Sequence, residues 1–135
     1  MYSNILVPIA LDNEDDRIPD SIAVAKALAK DGAAITLLHV VESVPSYAMT
    51  YIPEDFMVAT RKGIKSEMMR LAADHDVNSA VIDGHAGRSI LDHAEEKGCD
   101  LIVIASHRPG MQTLLLGSTA THVVRHANCA VHVLR

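Results

Sequence analysis

Short apolar runs that alternate with segments of helical period constrain this chain more than any other feature. Asn4 to Ile9 (Asn-Ile-Leu-Val-Pro-Ile) is apolar and partly β-branched, and a proline-bearing turn closes it. Such a run fits a strand buried on both faces. Ile18, Ile22, Ala25 and Ala29 then recur at helical spacing, and Asp31-Gly32 reads as the helix stop. Ala34 to Val41 is a second buried strand, and 42–53, bounded by Pro45 and Pro53, is a loop. Met57, Ile64, Met68, Leu71 and Ala72 line one face of a long helix over 54–75, with Gly63 inside it as a local weakness. Ser79 to Asp83 is a third strand. The turn Gly84-His85-Ala86-Gly87 leads into a helix that carries Ile90, Leu91 and Ala94 and stops at Gly98. Leu101 to Ala105, a helix over about 118–127, and Ala130 to Leu134 complete the order βαβαβαβαβ.

Strands that alternate with helices imply a parallel sheet with right-handed crossovers. Five strands in 135 residues favour an open doubly wound α/β sheet over a barrel, and no linker or repeat marks a second domain within 1–135. The core must be aliphatic, since the chain has no Trp, one Phe and three Tyr. That scarcity argues against stacking of nucleic-acid bases. A net charge of −5 and the absence of any Lys/Arg run exclude polyanionic nucleic acid as a partner. No apolar run reaches the ~20 residues of a membrane span. The N-terminus enters strand pattern without a basic leader, so a cytoplasmic location is expected. Cys99 and Cys129 match neither a metal spacing nor CxxC and read as buried or half-buried free thiols.

In a sheet of this kind ligands bind beyond the carboxyl ends of the strands, where strand order reverses. The candidates are therefore the loops after strands one and four. The first holds Pro8, Ile9, Ala10, Leu11 and Asp12; the second runs from Ala105 to Gly117. Strand, polar loop, then Gly117-Ser118-Thr119 at a helix start is an arrangement that holds phosphate, because the first N–H groups of a helix have no partner within it. Ser118 or Thr119 serves equally as a plain helix cap, and both readings stand on sequence. Arg108 offers five donors and a permanent charge, or a solvated surface cation. His107 bonds a phosphate or orients the loop; Ser106 and Gly110 belong to the same loop.

Other chemistry finds less support. His39, among apolar neighbours, reads as a satisfied strand histidine. His122 and His126 are spaced i,i+4, as a metal pair would be, but no HxH or HExxH motif occurs and no metal site is assigned. The acidic group Asp12, Glu14, Asp15 and Asp16 resembles a receiver-domain pocket, yet no lysine follows the fifth strand. GxGxxG and GxxxxGK[ST] are absent, and no catalytic triad can be assembled from spacing.

The quoted segments resemble those of the universal stress protein family. Asn-Ile-Leu-Val-Pro-Ile is similar to its first strand and Leu-Leu-His-Val-Val at 37–41 to its second. The stretch Asp-Leu-Ile-Val-Ile-Ala-Ser-His-Arg-Pro, then Leu-Leu-Leu-Gly-Ser-Thr-Ala, and the C-terminal Val-Val-Arg-His-Ala-Asn-Cys-Ala-Val-His-Val-Leu-Arg resemble its C-terminal signature. The likeness covers essentially the whole chain. It implies a Rossmann-like, adenine nucleotide alpha hydrolase-like sheet with strand order 3-2-1-4-5. It also implies a site for ATP (or ADP or AMP, with or without Mg) and a homodimer through the C-terminal edge strand.

By the same resemblance Pro8 and Val40 lie beside the adenine and Gly84 near the ribose. The family motif Gly-x2-Gly-x9-Gly-Ser/Thr falls on Ala105 at its first glycine and on Gly117-Ser118 at its end. The second glycine has no counterpart, since Arg108-Pro109 follows His107 and the loop is one residue shorter. Position 10, usually Asp in the family, is Ala10. A lost carboxylate removes a charge-assisted hydrogen bond worth about 1.5–3 kcal/mol where buried, with Asp12 or a backbone group as substitute. The expected function is thus an adenine-nucleotide-binding regulatory module in stress response. The alternatives are a nucleotide-independent dimeric scaffold that recruits protein partners, and a slow ATP hydrolase with His107 as the nearest base.

Overall fold

The computed structural model describes residues 1–11, 17–42, 47, 51–106 and 117–135. Five strands, β1 (Tyr2–Pro8), β2 (Ala29–Val41), β3 (Asn78–Asp83), β4 (Leu101–Ala105) and β5 (Ala130–Leu134), form one sheet in the order β3-β2-β1-β4-β5. Every pairing is parallel. The helices are α1 (Ile18–Leu28), α2 (Glu54–His75), α3 (Ala86–Glu96) and α4 (Ser118–His126).

Successive strand residues point to opposite faces, and here both faces are covered, which explains why the strands read as continuous apolar runs. On one face Ile5, Val7, Ile35, Leu37, Leu101 and Val103 pack with Ile22 and Ala25 of α1 and Met68 of α2. On the other, Leu6, Leu38, Ile102 and Ile104 pack with Ile90 and Ala94 of α3 and Ala120 and Val123 of α4. The sheet is therefore doubly wound, and strand order reverses between β1 and β4. β5 closes the sheet on one edge.

The first half of the chain departs from the expected boundaries. β1 starts at Tyr2 and ends at Pro8, two residues earlier and one residue earlier than expected. Helix α1 ends at Leu28, where Ala29 is extended, and β2 begins there rather than at Ala34. Asp31-Gly32 is not the helix stop. Tyr2 pairs with Ala29 while Asn4 pairs with Ala34, so β2 bulges between them, and Gly32 occupies the bulge at φ +77°. A glycine that needs positive φ serves a bulge as well as a helix end, which is why the motif misleads. Gly63 does not interrupt α2, which runs unbroken over 22 residues.

Candidate functional site

A cavity of about 540 Å³ opens at the carboxyl ends of β1, β2 and β4, where strand order reverses. Its walls differ in character. Pro8, Ile9, Ala10 and Val40, from the ends of β1 and β2, form an apolar side. Ala105, Ser106, Gly117, Ser118 and Thr119, from the end of β4 and the start of α4, form a polar side. Arg17 and Glu42 are the charged residues of the lining. Gly84 is not in the lining; it holds the β3–α3 turn at φ +143°, its N–H on the Val41 carbonyl at 3.0 Å, and Ala86 reaches the cavity instead. His107, Arg108, Gly110 and Asp12 lie outside the described residues.

The start of α4 has no side-chain cap among the described residues. Gly117 is the N-cap, extended at φ −62° and ψ 158°. Neither Ser118 nor Thr119 takes the capping role, because both already lie inside the helix. The first turn carries no acidic residue, while Arg125 and His126 sit in the last turn. The positive end of the helix dipole thus faces the cavity without a counter-charge of its own, a favourable place for an anion.

Ser106 follows β4 and is only 7% exposed. Its N–H donates to the Leu134 carbonyl at 2.7 Å, and its carbonyl accepts Arg17 Nη2 at 2.8 Å. Its hydroxyl has no hydrogen-bond partner among the described residues. A buried hydroxyl left unpaired costs about 1–3 kcal/mol. Across the cavity His39 Nδ1 donates to the Ile9 carbonyl at 3.1 Å, which fixes the ring and makes Nε2 the acceptor of its neutral form. His39 is a satisfied strand histidine, as its context implies, and it also lines the site.

Four polar or charged lining residues escaped the sequence reading as site residues: Arg17, Ser21, His39 and Glu42. Arg17 had one readable signal. It directly precedes a helix that must start at the carboxyl edge of the sheet, so its side chain begins beside the switch point.

Elsewhere, Cys99 and Cys129 are both half-buried free thiols. His122 and His126 approach with ring centroids 4.7 Å apart, and among the described residues no group of three or more His, Cys, Asp and Glu is placed to hold a metal. No described helix is long and apolar enough to cross a membrane.

Comparison with known proteins agrees with this architecture. A model of the universal stress protein family matches residues 1–135. Universal stress protein A homolog 2 of Coxiella burnetii is 37% identical over 145 residues, spanning 99% of this chain and 95% of its own length. Universal stress protein UspA from Lactobacillus plantarum has the same fold, with a TM-score of 0.78, 24% identity and coverage of 99% and 98% of the two chains. The fold recurs at a TM-score of 0.63 and 18% identity in the Archaeoglobus fulgidus universal stress protein in complex with dAMP, covering 99% and 98% of the chains. It recurs again at 0.60 and 17% identity in an Arabidopsis thaliana family protein with AMP bound, covering 98% and 90%. From end to end of the residues given, this chain belongs to the universal stress protein family.

Proposed function

We propose that this protein is an adenine-nucleotide-binding regulatory module of the stress response. In this reading ATP, or ADP or AMP, occupies the cleft between β1 and β4. The observation that carries it is the uncapped start of α4 on the polar side of that cleft, opposite the apolar side formed by the ends of β1 and β2. The volume of about 540 Å³ lies within the ~300–1,000 Å³ usual for small-molecule sites. The apolar side offers Pro8, Ile9 and Val40 to a base, and the polar side offers donors to phosphates. Complexes of family members with AMP and with dAMP support the same ligand class. Mg2+, where it accompanies ATP, arrives on the phosphates, because Glu42 is the one carboxylate of the described lining.

A cytoplasmic homodimer that pairs through β5 completes the reading. Support comes from the position of β5 at the sheet edge and from its half-buried Val131 and Val133, since an unpaired apolar edge invites another strand. Ala10 favours one competing reading, a dimeric scaffold that needs no nucleotide, because alanine supplies no carboxylate at that position for the base or ribose.

Titration calorimetry of the purified chain with ATP, ADP and AMP separates the two. Heat that saturates with a micromolar to millimolar dissociation constant is expected. No heat at millimolar ligand, together with no nucleotide released on denaturation and read by mass spectrometry, would leave the scaffold. Light scattering should report a dimer, and a monomer at high concentration would sink that part of the reading.

A further inference from the structure

The two half-buried thiols take no part in the nucleotide cleft and meet at the other end of the sheet. Helix α3 closes in a left-handed turn at Gly98 (φ +68°), with the Cys99 N–H on the Ala94 carbonyl at 2.8 Å, before the chain enters β4 at Leu101. Helix α4 ends at His126, and Cys129 directly precedes β5 at Ala130. Leu101 and Ala130 are partners in the parallel pair of β4 and β5. Cys99 thus stands two residues, and Cys129 one residue, before paired positions. A strand spacing of ~4.8 Å and a rise of ~3.3 Å per residue put this one-step stagger at ~6 Å between Cα atoms, inside the ~4.4–6.8 Å that a disulfide spans. Both side chains pack against the cluster that holds Leu6, Ile90, Ile102 and Val123, and both line one cavity of about 280 Å³ between α3 and α4. Cys99 Sγ donates weakly to Asn4 Oδ1 at 3.7 Å, a contact easily exchanged for a bond. Burial first, and then the charge of Cys129, raises the Cys99 thiol, so the two sulfurs lie within electrostatic reach.

We propose that Cys99 and Cys129 form a reversible disulfide that clasps the entries of β4 and β5, a redox-operated latch at the end of the sheet away from the nucleotide cleft. The oxidant is a low-molecular-weight disulfide of the glutathione class. Cys129, between the exposed Asn128 and Ala130, attacks first. Its thiolate bonds to one sulfur of the oxidant, and the other sulfur leaves as a thiolate that takes up a proton. The Cys99 thiolate then attacks the Cys129 sulfur and expels the second small thiol. Two protein thiols are oxidised, one small disulfide is reduced to two thiols, and the cysteine protons end on those products. Burial keeps both protein thiols mostly protonated near neutral pH, so the exchange is slow and quickens as pH rises. The bond closes the loop 99–129, which contains β4, α4 and the whole polar side of the cleft. Closing a loop restricts the unfolded chain and so stabilises this part of the fold. In a reducing compartment such bonds are transient and sense redox state, which suits a latch.

The test incubates the full chain with oxidised glutathione at about pH 8, caps the remaining thiols with a maleimide, and reads intact mass and linked peptides by mass spectrometry. The expected product is a single chain, lighter by two hydrogens, with no cap and a peptide that joins Cys99 to Cys129. Dithiothreitol should return both thiols. The oxidised chain should melt about 5–10 °C above the reduced one. Cys99→Ser and Cys129→Ser should each hold at most one glutathione and gain no stability from the oxidant; should either fail to fold by circular dichroism, the wild-type mass and Tm decide alone. A wild-type chain that keeps attached glutathione, links to a second chain, or closes the bond only in urea overturns the inference. So does a closed bond that leaves Tm unmoved. Neither result touches the nucleotide reading.

Discussion

Gly87→Ala should destabilise the protein by about 1–2 kcal/mol, although alanine is ordinarily the better helix residue. Gly87 is buried near the start of α3, where α3 passes against α4. A Cβ built there would sit 2.7 Å from His122 Cδ2, 3.0 Å from His122 Cγ and 3.1 Å from His122 Cβ. Rotating the imidazole relieves the first two contacts only in part, because the ring lies between His85 at 6.2 Å and His126 at 4.7 Å, centroid to centroid. The third contact moves only if the backbone of α4 moves. Overpacking of this kind costs about 1–3 kcal/mol, and the gain in helix propensity offsets at most about 1 kcal/mol of it. For a chain of this size the net change lowers Tm by about 4–7 °C. Gly63 is the matched control. It is exposed in mid-α2 with nothing within 4 Å of an added Cβ, so Gly63→Ala should stabilise by about 0.5–1 kcal/mol.

Urea denaturation followed by circular dichroism measures both, and a double-mutant cycle with His122→Ala tests the cause. In the His122→Ala background the alanine at position 87 meets no ring and only the 3.1 Å contact with Cβ of residue 122 remains, so its cost should fall by about half or more. A Gly87→Ala protein as stable as wild type would refute the packing argument. So would an equal loss in both backgrounds, which would place the strain somewhere other than His122.

Three further outcomes rest on other parts of the fold. Gly84→Ala should cost about 1–3 kcal/mol in the same assay, because φ +143° is a region alanine avoids and its Cβ would run into Ser89 Oγ; a loss below 0.5 kcal/mol, roughly, would mean the turn has alternatives. The Asp100 carboxyl is pushed up by burial, but the outweighing hydrogen bonds from Ser3 N–H, Asn4 N–H and Ser3 Oγ, at 2.9, 2.9 and 3.0 Å, leave it below the usual 3.8. A depressed folded pKa adds stability that is present above the unfolded value and lost as pH falls through the folded one. Asp100→Asn should therefore flatten the acid limb of the stability profile below about pH 4 as well as weaken the fold at neutral pH, and an unchanged limb would show these bonds to be inert. Burial first, then the neighbouring Cys129 and Asp100, pushes the Cys99 thiol above 9.0, and burial followed by Asp100 does the same to Cys129. Both should alkylate with iodoacetamide more slowly than free cysteine at pH 7.5–8.5, roughly, and faster reaction at either would show that it is more exposed than its packing implies.

The fold was legible because its strands are covered on both faces. A strand with one wet face alternates and can be confused with other patterns, whereas Leu101 to Ala105, buried up to Ile104, coincides with β4. The 22-residue α2 was equally plain, since five apolar residues at helical spacing outweigh one glycine. Asp31-Gly32 failed because the local signal reports only a positive φ, and whether a helix end or a bulge uses it is decided by pairing with Tyr2 on a distant strand. The site divides in the same way. Residues at strand ends and at the start of α4 were readable, because topology alone places them. Arg17 and His39 were not, because what brings each into the site is a bond to a carbonyl far along the chain, to Ser106 and Ile9.

Those two long-range bonds also explain how a cleft with an altered motif stays organised. Among the described residues the polar groups of the site are fixed before any ligand arrives: His39 by Ile9, Ser106 by Leu134 and Arg17, and the α4 donors by the helix itself. A group that is already in place loses little freedom on binding, so more of each contact appears as affinity. The anchors are strand ends and helix starts, which the core holds on both faces of the sheet. The glycine that the family motif has and this chain lacks belongs to the connecting loop instead. Ser106 carries both kinds of anchor, its N–H on Leu134 of β5 and its carbonyl on Arg17 beside α1.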